Sequence, residues 1–125
     1  VGIEILEDVP DATDVILSIG GGGLMGGVAT AVKSLKPDTK VWGVETVGAD
    51  AMSQALAVSR VVELDAITSI AKALGAPHVS DATLALAQNY LESVTVVTDV
   101  EAVEVRGTVT RDLPQRSPPE LHFQS

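Results

Sequence analysis

An α/β fold, an open parallel sheet with flanking helices, is what this 125-residue sequence predicts. Three observations lead there. The short apolar run Asp14-Val15-Ile16-Leu17-Ser18-Ile19 passes directly into four glycines, Gly20 to Gly23. Such a run suits a strand buried on both faces. After the glycines, Leu24, Val28, Val32 and Leu35 recur at helical spacing, so the period switches from strand to helix. The alternation then repeats down the chain, and β-α-β-α order implies a parallel sheet with helices on both faces. With 46% apolar residues the chain can supply a core, and its length fits one domain.

Taken in order, the acids Glu4, Glu7, Asp8, Asp11 and Asp14 read as a solvated approach to the first strand. Pro37 stops the first helix, and Lys33 and Lys36 suit the negative end of its dipole. Lys40 to Glu45 is the next strand, in which Trp42 alternates with Val41 and Val44 and reads as core. Ala49 to Ala57 is small and helix-prone, with Met52 and Leu56 one turn apart, and Val61 to Leu64 reads as a short strand. Ser80 or Asp81 caps a helix whose Leu84, Ala87 and Leu91 share a face. Val94 to Val97 is another strand, and Thr98-Asp99-Val100-Glu101 forms a capping box that starts one more helix. Barely two turns later Arg106-Gly107 ends the pattern. The segment 106–125 holds Pro114, Pro118 and Pro119 and lacks an amphipathic period. Residues 1–105 therefore read as the folded unit and 106–125 as an extended or disordered tail. So small a sheet, ending at a helix start, reads as an incomplete portion of a larger domain.

Composition excludes several function classes. Seventeen acidic residues against eight basic give a net charge of -9, which disfavours a nucleic-acid partner because phosphate backbones need clustered Lys and Arg. Zero cysteines exclude disulfides, thiolate metal sites and a Cys nucleophile. No run approaches the roughly 18–20 apolar residues of a membrane span, and no signal peptide is visible, so the expected location is cytoplasmic. His78 and His122 have no neighbours suited to metal binding or to a triad.

The strongest chemical feature is Gly20-Gly21-Gly22-Gly23-Leu24 between a buried strand and a helix. Residues without Cβ let the backbone turn sharply and let a ligand approach the main chain. Successive N–H groups can then converge on one anion at the N-terminus of the helix. The expected ligand is a phosphate. A P-loop is disfavoured, because Leu24-Met25 stands where Lys and Ser or Thr belong. A dinucleotide fingerprint is a closer rival: Gly21, Gly23 and Gly26 match GxGxxG, and Glu45 ends the next strand where a ribose-binding acid belongs. From spacing alone the two phosphate readings are comparable.

Ser18-Ile19-Gly20-Gly21-Gly22-Gly23-Leu24 resembles the phosphate-binding loop of the fold-type II pyridoxal-phosphate enzymes, the serine and threonine dehydratase group. Val44-Glu45-Thr46-Val47-Gly48-Ala49 and Thr68-Ser69-Ile70-Ala71-Lys72-Ala73-Leu74-Gly75 are similar to the L-serine dehydratase branch. The likeness runs from about Glu4 to Val103 and covers the middle portion of the family's catalytic chain. It implies part of a fold-type II large domain that binds pyridoxal 5'-phosphate. The parent activity it implies is deamination of L-serine or L-threonine to a 2-oxo acid and ammonia. It also implies that Gly20, Gly21, Gly22, Gly23 and Leu24 donate main-chain N–H groups to the cofactor phosphate. Beside them, Gly20, Glu45, Ala49, Leu74 and Ala76 match a potassium site of carbonyl oxygens and one glutamate, and carbonyl-rich ligation suits a hard monovalent cation. The related racemases carry an extra acid where Ala51 stands here, which disfavours a magnesium-type site. Ala73 matches a position whose carbonyl lines the substrate pocket.

The sequence departs from the family in three places. The family's Schiff-base lysine follows a serine near the start of the catalytic chain, and no such segment occurs in these 125 residues. Lys33, Lys36, Lys40 and Lys72 read as surface charges, so no catalytic residue is assigned. The asparagine-bearing segment that holds the substrate carboxylate and the residue facing the pyridine nitrogen have no counterpart either. These residues alone are therefore expected to be inactive. Two other readings compete. One is a self-associating, non-catalytic module for a phosphorylated ligand, since an incomplete sheet leaves edges and an apolar face that favour a homo-oligomer or the rest of the fold. The other is an NAD-type dinucleotide-binding domain.

Overall fold

The structure, a computed structural model, describes residues 1–70 and 75–112. In chain order these form α1 (Gly2–Asp8), β1 (Asp14–Ser18), α2 (Gly23–Leu35), β2 (Lys40–Thr46), α3 (Ala51–Val58), α4 (Asp81–Tyr90), β3 (Leu91–Val97) and α5 (Asp99–Asp112). The three strands make one sheet in the order β1-β2-β3, and both pairings are parallel. Asp14 lies opposite Lys40 and Ser18 opposite Val44. Gly43 lies opposite Val94 and Thr46 opposite Val97, after an irregularity between Val41 and Gly43. The predicted fold class is what the chain adopts, with one correction to its layers. Helices were expected on both faces, but the helices that follow β1 and β2 cover only one. Right-handed crossovers that all advance in the same direction put their helices on the same side of a sheet.

That side holds the core. Val15, Ile19 and Val41 point into it and meet Met25, Val28, Ala29 and Val32 of α2, Met52 and Ala55 of α3, and Leu84 and Ala87 of α4. Gly43 sits among them at the centre of the sheet. A Cβ there would collide with the δ-methyl of Ile19 and come within 3.1 Å of Val94 Cγ2, so only glycine lets these neighbours close over the strand. On the opposite face Ile16 is 70% exposed. Trp42, expected in the core, is half-exposed on that same face and donates its indole N–H to Asp14 Oδ1 at 2.8 Å. The strand alternates along its length, with Val41 inward and Trp42 outward.

Other elements differ at their edges. The acidic start is α1, whose Gly2 and Leu6 are buried one turn apart while Glu4, Glu7 and Asp8 stay exposed. A Cβ on Gly2 would lie 2.8 Å from Ala31 Cβ, so α1 seats directly on α2. Val61 to Leu64 is not a strand; Leu64 instead donates its N–H to the Pro77 carbonyl at 2.7 Å, and the loop is held against the 75–80 segment. Ser80 caps α4, and Leu91 starts β3 instead of ending that helix. The Thr98–Glu101 capping box forms, with Thr98 N–H on Glu101 Oε2 at 2.7 Å and Glu101 N–H on Thr98 Oγ1 at 3.2 Å. From it α5 runs to Asp112, so residues 106–112 are helical rather than extended. The rest of the expected tail, 113–125, lies outside the described residues.

Met52 has no exposed surface and packs at the meeting point of α3 with the core. Met52→Ala should therefore cost about 2–5 kcal/mol through lost burial and the cavity left behind, read as a lower urea midpoint at unchanged slope.

Candidate functional site

Parallel strands end on a common edge, and here that edge gathers the loops after β1, β2 and β3. Ile19 continues the ladder one step past β1 by donating its N–H to the Val44 carbonyl at 3.0 Å. The chain then turns. Gly22 has φ +96°, a left-handed conformation open to glycine, and serves as the N-cap of α2 without a side-chain cap. A Cβ on Gly22 would also meet Thr83 Cβ at 2.7 Å. At Gly23, by contrast, a Cβ would meet nothing within 4 Å. Gly22 is thus wedged against α4 while Gly23 opens outward. No acceptor among the described residues takes the N–H groups of Gly20, Gly21, Gly22, Gly23 or Leu24. These donors lead into and open the positive end of α2, and the open side of Gly23 leaves room for a ligand's oxygens to approach. The geometry therefore fits a phosphate. Gly26, the third glycine of the dinucleotide pattern, lies inside α2, where an added Cβ would come 3.0 Å from Leu86 Cδ1; its absence serves contact with α4.

Glu45 lies on the same edge, one strand over. It is 3% exposed. Its Oε1 accepts the Met52 N–H at 3.0 Å and its Oε2 the Ser53 N–H at 2.8 Å, so the carboxylate caps the first turn of α3. Burial pushes its pKa up to about 7, against the pull of the Ser53 and Met52 amides and with a small push from Asp50. Glu45 also lines a cavity of about 210 Å³, with Ser18, Ile19, Thr46, Ala49, Gly75 and Ala102 among others. Of the expected cation ligands, Glu45 and Ala49 thus share one cavity. Gly20 follows Ile19 at its wall, and Ala76 approaches the loop, its methyl 3.7 Å from where a Cβ on Gly21 would be. Leu74, Ala73 and Lys72 lie outside the described residues. Among the described residues no three His, Asp or Glu side chains cluster as metal ligands, so a cation here would rely on carbonyl oxygens. Lys33, Lys36 and Lys40 stand towards the opposite edge. Lys33 Nζ donates to the Thr39 carbonyl at 2.8 Å and Lys36 to the Pro10 carbonyl.

Two features were not read from the sequence. One is a chain of hydroxyls that ties the segment before residue 71 to α5. Thr46 Oγ1 donates to Ser69 Oγ at 2.8 Å, and buried Ser69 donates to Asp99 Oδ1 at 2.6 Å. Asp99 Oδ2 also accepts the Ile70 N–H at 3.0 Å. These bonds hold the Asp99 carboxyl below its usual range. The partners are 23 and 30 residues apart, a separation that local patterns do not encode. The other is Thr83, which reaches the glycine loop from α4.

Residues 1–113 match the family described as pyridoxal-phosphate dependent enzyme, and the chain belongs to that family. The match extends past Val103, as the helix does. The phenylserine dehydratase of Ralstonia pickettii is 42% identical over 100 residues, covering 80% of this chain and 31% of that protein. The biosynthetic L-threonine dehydratase of Halalkalibacterium halodurans is 40% identical over 98 residues, 78% of this chain and 24% of the relative. Among solved structures, maize serine racemase superposes with a TM-score of 0.82 at 32% identity, covering 86% of this chain and 34% of its own. The chain spans about a quarter to a third of the curated relatives it matches. Dehydratases and racemases both appear, so the likeness reaches the dehydratase–racemase group and does not separate its branches. No helix among the described residues is long and apolar enough to cross a membrane.

The two glycines should respond oppositely to a methyl. Gly22→Ala should destabilise the chain by about 1–3 kcal/mol from the forced left-handed backbone, whereas Gly23→Ala should melt within a few degrees of the parent. Glu45 gives a pH signature in potassium-free buffer. Its pKa is raised on folding, so the folded form holds the extra proton and stability falls as pH rises from about 4.5 to about 7. The loss is at most about 3 kcal/mol; thermal melts at pH 5 and pH 7.5 should show it, and Glu45→Gln should flatten the slope.

Proposed function

We propose that these residues are the cofactor-phosphate and cation portion of a pyridoxal-phosphate-dependent dehydratase that converts L-serine or L-threonine to a 2-oxo acid and ammonia. The observation that carries this reading is the set of amides from Gly20 to Leu24, without acceptors among the described residues, at the head of α2. When bound, the cofactor ring supplies an electron sink for the α-carbon of the amino acid. The protein's part is to hold and orient. The amides of Gly20, Gly21, Gly22, Gly23 and Leu24 grip the phosphate dianion, and Gly23 leaves the space it fills. Glu45 and the carbonyls of Gly20, Ala49 and Ala76 would hold a potassium ion, whose charge would offset that of the buried carboxylate. Similarity to the phenylserine and threonine dehydratases supports elimination from a β-hydroxy amino acid. Ala51, the first residue of α3, offers no carboxylate for a divalent ion, which supports a monovalent one.

An absorbance titration tests the reading. Pyridoxal 5'-phosphate should shift its band saturably, millimolar inorganic phosphate should compete, and potassium should strengthen binding relative to sodium. NAD should neither saturate nor compete. Saturable binding of NAD would favour the dinucleotide reading, and binding indifferent to inorganic phosphate would overturn the phosphate cradle.

A further inference from the structure

The glycine loop is held from behind by one side chain. Thr83 Oγ1 lies 3.2 Å from the Gly21 carbonyl oxygen, in donor geometry. The same hydroxyl accepts the Ser80 N–H at 3.1 Å and lies 3.1 Å from Ser80 Oγ, and the Gly21 and Ser80 carbonyls, at 3.2 and 3.1 Å, share its one hydrogen, so the α4 cap and the glycine loop meet on one oxygen. Thr83 Cβ also closes the space beside Gly22. The peptide joining Gly21 to Gly22 is planar and trans, so its C=O and N–H point in opposite directions. A Gly21 carbonyl turned toward α4 turns the Gly22 N–H away from α4.

We propose that Thr83 is a positioning residue: by holding the Gly21 carbonyl it aims the Gly22 N–H at the ligand's phosphate. The assignment rests on the phosphate reading given above. Its sequence position, at the third residue of α4, gives it a cap role in any helix of this kind. The contact with Gly21, 62 residues away, is what the cap does not require.

The test uses the full chain with pyridoxine 5'-phosphate and pyridoxine, which lack the aldehyde and form no imine with surface lysines. Calorimetry should show that the parent chain prefers the phosphorylated form. Thr83→Val should weaken pyridoxine 5'-phosphate about fivefold to tenfold, the value of one hydrogen bond, and leave pyridoxine unchanged. Thr83→Ser should restore the preference. Ser80→Ala should lower the melting temperature through the lost cap yet keep the preference. In NMR spectra of the parent, added phosphate should move the Gly22 amide signal, a measurement that holds even where Thr83→Val fails to fold. A preference that survives Thr83→Val, a loss in Ser80→Ala as large as in Thr83→Val, or a still Gly22 signal would overturn the role of Thr83. A parent chain that binds both vitamers equally would overturn the phosphate reading, and this assignment with it.

Discussion

The parallel pairing of β1 with β2 and of β2 with β3 is the constraint from which the site follows. Strands that run the same way cannot be joined by tight hairpins; each must be reached by a crossover, and all of them finish on one edge. The exits of β1 at Ile19, of β2 at Thr46 and of β3 at Val97 are therefore neighbours, although they are spread over nearly 80 residues of chain. Every group assigned to the site from the described residues sits on one of those exits or on a segment packed against them. Ligands of open α/β sheets bind at this edge for the same reason.

Glu45 ties the end of β2 to the start of α3. Its carboxylate satisfies two first-turn amides of α3, which a helix start without a side-chain cap leaves open. Two amides do not fully repay removal from water, so the group keeps a strong affinity for a proton. A cation in the adjoining cavity would satisfy the same demand without protonation.

Most of the fold was legible because its signals are local. The apolar run before Gly20, the helical spacing after it, Pro37, and the capping residues Ser80 and Thr98 each act within a few positions. What escaped were outcomes settled by distant partners. The inward phase of β2 depends on Gly43 opening space for Ile19 and Val94, and this sends Trp42 to the other face. The first helix depends on Gly2 fitting against Ala31. Residues 106–112 extend α5 despite Gly107, whose cost in a helix of about 1 kcal/mol is too small to stop one already capped. The same division holds at the site. The glycine loop was visible as a string of residues, whereas Thr83 and the Thr46–Ser69–Asp99 chain could be found only once the chain was folded.

The sheet face that carries Ile16 also carries the chain's single tryptophan, half-exposed beside Asp14. The indole thus sits far from the glycine loop in register, at the middle of β2, and on the side that the connecting helices leave bare. Its emission is a native optical probe of that surface. Water around the ring keeps the spectrum red, and any body that settles over the face and strips this water will draw it toward the blue.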